Sequence, residues 1–167
     1  MMALFCLLAA AGCGYHTVGS ATHIPANVRT IAVPVFVTRV QAFHSEMALT
    51  QALVRELNTR TRYRVLTGDT GSSDATLNGT VLTQTAVPLT YDSTSGETSS
   101  YLVTVTVKVV LTARDGRVLY RNDALSYREQ YQSTQDLSAS IREDPAAVNR
   151  VARAFAQALV GDLLESF

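Results

Sequence analysis

The length and the charge balance of this chain narrow the classes of protein to which it can belong. Its 167 residues carry 14 basic and 14 acidic side chains, so no global field attracts nucleic acid or an anionic membrane, and no nucleic-acid partner is expected. Hydrophobic residues make up 47% of the chain, enough for one hydrophobic core and a single predicted domain.

The first residues have the pattern of a bacterial lipoprotein signal. Residues 1–12 are apolar throughout, match the length of a signal-peptide core and are too short to span a bilayer. They end in small residues directly before Cys13, which predicts cleavage there and acylation of Cys13, with palmitate among the chains. The usual basic start is missing, since no Lys or Arg precedes Arg29, and a start assigned too far downstream would explain this. A buried N-terminal strand or helix is the competing interpretation.

The next stretch is predicted to tether the lipid to the folded part. Residues 13–27 contain Gly and Pro and show no hydrophobic period, whereas residues 28–167 form the predicted domain. Gly14 stands where lipoproteins retained in the inner membrane often carry Asp, so the periplasmic face of the outer membrane is the expected location. Several acyl chains, at about 0.8 kcal/mol per buried CH₂, would hold the protein there.

A strand and then a helix are predicted at the start of the domain. Residues 28–36 alternate and are rich in β-branched side chains, which predicts a strand with Pro34 near its end or at an edge. Residues 43–58 repeat their apolar positions at three and four, which predicts an amphipathic helix with Ser45 as N-cap. A short strand is predicted at residues 63–66. The expected buried stripe of the helix is Phe43, Met47, Thr50, Val54 and Leu57, with Leu53 on its flank.

Three longer strands are predicted next. Residues 75–91 alternate, residues 101–111 alternate more regularly, and residues 118–131 return after the turn signal Asp115-Gly116. Residues 92–100 are polar and are predicted to form a hairpin tip. On the first of these strands, one face is expected to carry Leu77, Gly79, Val81, Thr83, Thr85, Val87 and Leu89, with Pro88 at an edge or a bulge.

The last predicted element is a helix that runs from residue 145 to about residue 165. Asp144 is placed to cap it, and Pro145 occupies its first position, where the missing N–H is harmless. Its expected buried stripe is Val148, Val151, Ala152, Phe155, Leu159 and Leu163.

The order of elements is β-α-(β)-β-β-β-α. It predicts an α+β fold, with two helices packed on one face of a mostly antiparallel, mixed sheet of four to five strands. The other sheet face would be half-polar and would meet solvent or a partner.

Motifs for catalysis or for metal binding are not apparent. The chain lacks a nucleophile elbow, a phosphate loop and a dinucleotide fingerprint. Both cysteines, Cys6 and Cys13, precede the domain, and the three histidines lack ligand spacing, so neither a metal nor a cofactor is expected. The cluster at residues 60–64 is the one local concentration of arginines, and a solvated helix end explains it.

Several segments in a fixed order resemble the LptE family of lipopolysaccharide-assembly lipoproteins. The resemblance covers nearly the whole chain after Cys13, with no single decisive motif. The matching segments are Cys13-Gly14-Tyr15-His16, Ile24-Pro25, residues 30–36, residues 49–57, residues 62–65 and residues 75–81.

The resemblance implies a function as well as a fold. Family members plug the large β-barrel LptD in the outer membrane, help it to fold and help to deliver lipopolysaccharide, which they bind through basic residues near one end of the sheet. Here the predicted tip at 92–100 has no Lys or Arg. Arg142 matches the other basic region loosely, and Arg114 and Arg117 at the opposite turn are further candidates for lipopolysaccharide binding.

Two alternatives remain at this point. The chain could be a periplasmic lipoprotein that activates a cell-wall synthase, although the tether at 13–27 is short for a long reach. It could also be a lipoprotein hydrolase, which would need His23 or His44 beside a serine and a carboxylate. The expected function is that of a binding and assembly subunit without catalytic residues.

Overall fold

Eight elements of secondary structure follow one another in the described part of the chain. The computed structural model describes residues 24–39, 45–68, 71–91, 93, 98–132 and 145–165. Its elements are β1 (Thr30–Ala32), β2 (Val37–Thr38), α1 (Ser45–Arg60), β3 (Arg64–Leu66), β4 (Ala75–Tyr91), β5 (Thr98–Ala113), β6 (Val118–Gln132) and α2 (Pro145–Glu165).

A mixed sheet of six strands forms one layer of the fold. Its order is β3-β1-β4-β5-β6, and β2 also pairs with β4. The pairings of β1 with β3 and β4, and of β2 with β4, are parallel, whereas β4, β5 and β6 pair antiparallel. The predicted α+β class is confirmed. The strand predicted at 28–36 is shorter in the structure, where β1 ends at Ala32, two residues before Pro34, which has no N–H for a ladder bond. The additional strand is β2, which was not predicted.

The core lies between the two helices and one face of the sheet. Phe36 and Phe155 meet edge to face at its centre, with ring centroids 6.2 Å apart. The buried positions of β4 and β5 alternate, so they share the face that α1 and α2 cover. The core includes Leu49, Leu53 and Leu57 of α1, Leu77 and Val81 of β4, Val105, Val107, Val109 and Leu111 of β5, and Phe155, Leu159 and Leu163 of α2.

The buried stripe of α1 differs from the predicted one. Thr50 and Leu57 are buried as predicted, and so is Leu53 on the flank, but Met47 is half exposed, and Leu49, which was not in the predicted stripe, is almost fully buried. Phe43 lies outside the described residues. Ser45, expected as the N-cap, is the first residue of the helix, and its hydroxyl donates to Oε1 of Gln84 at 2.8 Å. The helix packs against α2, and the face it buries includes residues that periodicity alone left out.

Gly79 is needed where the side chain of Phe36, in the segment between β1 and β2, packs against β4. A Cβ at this position would overlap the ring of Phe36, so only glycine allows the ring to lie flat against β4. The close approach brings Phe36 into contact with Phe155 and so joins the start of the sheet to α2.

Candidate functional site

The three long strands continue past the helices. We name the continuation the outer sheet and define it as residues 85–91 of β4, 98–104 of β5 and 128–132 of β6. Their pairing is unbroken across the three strands apart from local irregularities in β4. Among the outer-sheet side chains that the structure describes, Ser100 alone is buried. The helices therefore leave this part of the sheet uncovered.

A β-bulge in β4 decides which side chains face outwards. Val81 pairs with Val107 and Thr83 pairs with Thr106, so Leu82 is the extra residue. Beyond it the alternation of faces is reversed. Gln84 now pairs with the buried Val105, on the helix side of the sheet.

The bulge overturns the single face predicted for this strand. Thr83, Thr85 and Val87 turn to the face opposite the helices instead of continuing the buried row. Val87 is 54% exposed and Leu89, beside a second irregularity, is 46% exposed. Pro88 lies next to that irregularity, as its missing N–H led us to expect.

The face of the outer sheet away from the helices is rich in hydroxyl groups and contains one apolar pair, Val87 and Leu102. Thr85 pairs with Thr104 across the strands, one rung beyond the pair of Thr83 with Thr106. Nearer the tip, the hydroxyls of Thr90 and Ser100 lie 2.6 Å apart. This hydrogen bond satisfies Ser100, whose burial would otherwise be costly. The face can therefore meet water or another polar surface.

One edge of β4 lacks a strand partner in the outer sheet. The pairing with β2 stops at Thr38 and Val81, followed by one hydrogen bond from Arg39 N–H to the carbonyl of Val81. No other strand among the described residues pairs with that edge further out. Exposed strand edges are surfaces on which another chain can add hydrogen bonds. Val87 and Tyr91 add exposed apolar area there.

The opposite end of the sheet carries the tight turn between β5 and β6. Arg114, one of the residues predicted to bind lipopolysaccharide, donates through Nε to the carbonyl of Ser73 at 2.9 Å and through Nη2 to that of Ser72 at 3.0 Å. Its Nη2 also lies 3.6 Å from Oδ1 of Asp74. The side chain therefore fastens the turn to the loop before β4, and these contacts compete with any external anion.

Asp74 is the acceptor that joins this loop to β1. Its Oδ2 accepts the hydroxyl of Thr30 at 2.7 Å and the backbone N–H groups of Arg29 and Thr30 at 3.0 and 2.9 Å. The hydroxyl of Thr30, the two backbone donors and the nearby charge of Arg114 lower the pKa of Asp74 below its usual value.

Arg117 is the more available of the two arginines of the turn. Its guanidinium lies 3.7 Å from the carboxylate of Asp115, and both side chains are 63% exposed. Gly116 supplies the positive φ of 87° that the turn requires. Arg114 and Arg117 line an open cleft of about 420 Å³ together with Pro25, Asn27, Val28 and Asp74.

The remaining predicted site residues cannot be placed. Cys13 and Arg142 lie outside the described residues, as do His23 and His44, and their roles stay predictions. Within the described ranges, no group of three or more His, Cys, Asp or Glu side chains could hold a metal ion. The same ranges contain no helix with the length and hydropathy needed to cross a membrane.

Solved structures share this fold, and several of them are bacterial lipoproteins. A lipoprotein from Caulobacter crescentus has a TM-score of 0.52 and 15% identity, covering 78% of this chain and 87% of its own. The PelC dodecamer from Paraburkholderia phytofirmans has a TM-score of 0.53 and 13% identity, covering 89% and 93%. A DUF330 protein from Xanthomonas campestris has a TM-score of 0.56 and 17% identity, covering 84% and 88%. These similarities define the class of fold.

The particular family follows from the sequence match. The family model described as LptE, lipopolysaccharide-assembly, matches residues 28–163. The chain therefore belongs to the LptE family, and the resemblance found in the sequence is confirmed. No curated protein matches this chain with significance.

Two features of the site were missed from the sequence. The bulge at Leu82 leaves no compositional sign, since neither Gly nor Pro marks it. The partners of Arg114 come from a loop about 40 residues earlier in the chain, at Ser72 and Ser73. The Asp-Gly turn itself was predicted, but turn chemistry does not report the contacts that a turn makes with other segments.

Proposed function

We propose that this protein is an acylated outer-membrane lipoprotein that enters an LptD-type β-barrel as a plug and helps to assemble it for lipopolysaccharide transport to the cell surface. The match of the LptE family model to residues 28–163 carries this proposal. In it, residues 1–12 are the signal peptide, Cys13 is the acylated residue, residues 13–27 are the tether and residues 28–167 are the domain.

The outer sheet supports the plug role. The interior of a large membrane β-barrel is polar, whereas its outer surface is apolar. The face that carries Thr85 and Thr104, continued inwards by Thr83 and Thr106, fits a polar wall, and Arg128, which pairs with Thr104 on this face, would need an acceptor on that wall. The open edge of β4 offers backbone groups to a strand or loop of the barrel. The plug would then act by filling the pore and supporting its closure, not by catalysis.

The second part of the proposal is lipopolysaccharide binding by arginines, two of them in the turn between β5 and β6. Guanidinium groups bind phosphate through paired, charge-assisted hydrogen bonds, so Arg117 and Arg142 would compete for the phosphates of lipopolysaccharide. Arg117 is exposed and has only the neighbouring Asp115 as an ion-pair partner among the described residues. Arg114 would contribute less, because its donors already serve Ser72, Ser73 and Asp74.

The direct test is affinity purification of the tagged protein from detergent-solubilised outer membrane, with mass spectrometry of Cys13. We expect a large β-barrel protein to co-purify and Cys13 to be acylated. An acylated, folded protein that never recovers a barrel would contradict the plug role. Recovery of a murein synthase in its place would establish the alternative of a cell-wall synthase activator.

A pair of matched variants tests the contact surface. Val87→Asp places a charge on the outer sheet, and Val118→Asp places the same charge at the opposite end, on a side chain of similar exposure, 51% against 54%. We expect the first variant to lower barrel recovery at least tenfold and the second to leave it unchanged, because a buried unpaired charge costs several kcal/mol. Circular dichroism of both variants checks folding. Equal recovery would exclude the outer sheet from the interface.

A further inference from the structure

Arginines concentrate where β1 and β3 begin, at the end of the sheet opposite the outer sheet. We name the group formed by Arg29, Arg62 and Arg64 the arginine corner. Arg64 pairs with Thr30 in the parallel ladder, and its N–H donates to the carbonyl of Arg29 at 2.9 Å. Arg62 stands two residues earlier in the same edge segment. All three side chains are exposed.

The charge of the arginine corner is not neutralised by the described part of the protein. Other arginines at this end have acidic partners: Arg60 lies 3.7 Å from Glu56, and Arg117 lies 3.7 Å from Asp115. Asp74 accepts the backbone N–H of Arg29, but its charge is balanced by Arg114 at 3.6 Å. No acidic side chain of the described residues forms an ion pair with Arg29, Arg62 or Arg64, so three positive charges face outwards.

The tether reaches the body beside this corner. Ile24 and Val28 are buried in the core, and the N–H of Val28 donates to the carbonyl of Pro25 at 2.9 Å. Arg29 follows directly. A chain segment from Cys13 to Ile24 spans at most about 40 Å even when fully extended. If Cys13 is acylated, the membrane surface is therefore always within that reach of the arginine corner.

We propose that the arginine corner docks on anionic phospholipid headgroups of the leaflet that holds the lipid anchor. This inference rests on the proposed function, because it needs the acylation of Cys13. Guanidinium forks match the oxygens of a headgroup phosphate, and the attraction acts over a Debye length of about 8 Å at physiological salt. Acyl chains together with a basic patch form a two-part anchor. Docking leaves the outer sheet, at the far end of β4, directed away from the headgroups and available to a partner.

The test compares two triple variants of equal net charge. One is Arg29→Gln, Arg62→Gln and Arg64→Gln. The control is Arg39→Gln, Arg128→Gln and Arg153→Gln, which removes exposed arginines that also lack an ion pair among the described residues but lie elsewhere. The protein used is the proposed mature chain without its lipid, residues 13–167 with Cys13→Ser. It is sedimented with vesicles of phosphatidylcholine, either alone or mixed with roughly one-third phosphatidylglycerol. On the anionic surface each basic residue is expected to strengthen binding about fivefold.

We expect the unsubstituted protein and the control to bind the anionic vesicles and to lose that binding at high salt. The corner variant should bind them at least tenfold more weakly, and up to about 100-fold if all three arginines contact phosphate. Equal binding of the two triple variants, or equal binding to neutral and anionic vesicles, would overturn the proposal. So would a corner variant that loses binding to lipopolysaccharide micelles but keeps its binding to phosphatidylglycerol vesicles.

A second readout separates this inference from the proposed function. The corner variant, with Cys13 intact, is purified from outer membrane as above. Recovery of the barrel together with unchanged vesicle binding would refute only the docking proposal. If the unsubstituted protein recovers no barrel protein, the plug role is refuted, whatever the result of the vesicle assay. Circular dichroism of both triple variants establishes that they are folded.

Discussion

The two halves of the strands β4, β5 and β6 differ although they belong to the same sheet. In the inner half, Leu77, Val81 and Val107 are at most 1% exposed, because both helices cover that face. In the outer sheet, Val103 on the same helix-side face is only partly buried, and Val87 on the opposite face and Tyr91 are more than half exposed. The comparison shows that one continuous ladder can hold the fold at one end and present a surface at the other.

The largest difference in stability between the two halves is expected for a substitution in the core of the inner half. Phe155→Ala should lower the free energy of unfolding by about 3–5 kcal/mol, because it removes a fully buried ring and its edge-to-face contact with Phe36. Urea denaturation followed by circular dichroism measures the change. In the outer sheet, Val87→Ala should change it by no more than about 0.5 kcal/mol. Similar losses in the two variants would mean that both halves share one core.

The next effect concerns the close approach at Gly79. Gly79→Ala should cost about 1–3 kcal/mol, since a Cβ there displaces the ring of Phe36. The matched control is Gly161→Ala in α2, where a Cβ meets nothing within 4 Å and should stabilise the helix by up to about 1 kcal/mol.

A double variant sharpens the Gly79 prediction. In a Phe36→Ala background, Gly79→Ala should cost little, because the ring that a Cβ displaces is absent. Unfolding in urea gives the coupling free energy between the two positions. Simple additivity of the two losses would show that the cost arises elsewhere, for example in the conformation of β4.

A smaller and local effect is expected in the outer sheet. Ser100→Ala removes the partner of the Thr90 hydroxyl, 2.6 Å away, and should cost about 1 kcal/mol. Amide hydrogen exchange should become faster in the outer parts of β4 and β5 and stay unchanged at Val107 and Val109. Faster exchange both in the outer parts of β4 and β5 and at Val107 and Val109 would mean that the two halves unfold as one unit.

The smallest effect is a change in the pH dependence of stability. The pKa of Asp74 is lower in the folded state than in the unfolded state, where it is about 3.9. Its carboxylate therefore stabilises the protein at pH values above the unfolded-state pKa, and this contribution is lost as the pH falls through the folded-state pKa. The stability difference between the unsubstituted protein and Asp74→Asn should therefore be full near neutral pH and shrink below about pH 4.

The cause of the lowered pKa can be tested separately. Thr30→Val removes the hydroxyl that donates to Oδ2 of Asp74 and should move the pKa of Asp74 back towards its ordinary value. A carboxyl titration followed by NMR measures this shift. An unchanged titration would place the cause in the backbone N–H groups of Arg29 and Thr30 instead.

Local patterns predicted most of the elements. Alternation predicted β4 with the bounds that the structure shows, and the three-and-four spacing with Pro145 predicted α2 and its buried residues Val151, Phe155 and Leu159. The strand predicted at 28–36 is too long, since β1 covers only Thr30–Ala32, and the short strand β2 at Val37–Thr38 was not predicted. For the site, the turn at Arg114 and Arg117 was predicted, but the partners of Arg114 were not.

The sequence by itself determined the class of fold, the order of elements and the family, because hydrophobic periods, Pro and Gly act within a few residues of themselves. Tertiary structure alone decided which side chains of β4 beyond Leu82 face outwards and which side of α1 is buried. A bulge arises from the register between two strands, and the buried side of a helix follows from the surfaces that it meets. The strand register and the surfaces that a helix meets both depend on residues far apart in the chain, so a local hydrophobic period cannot predict either of them.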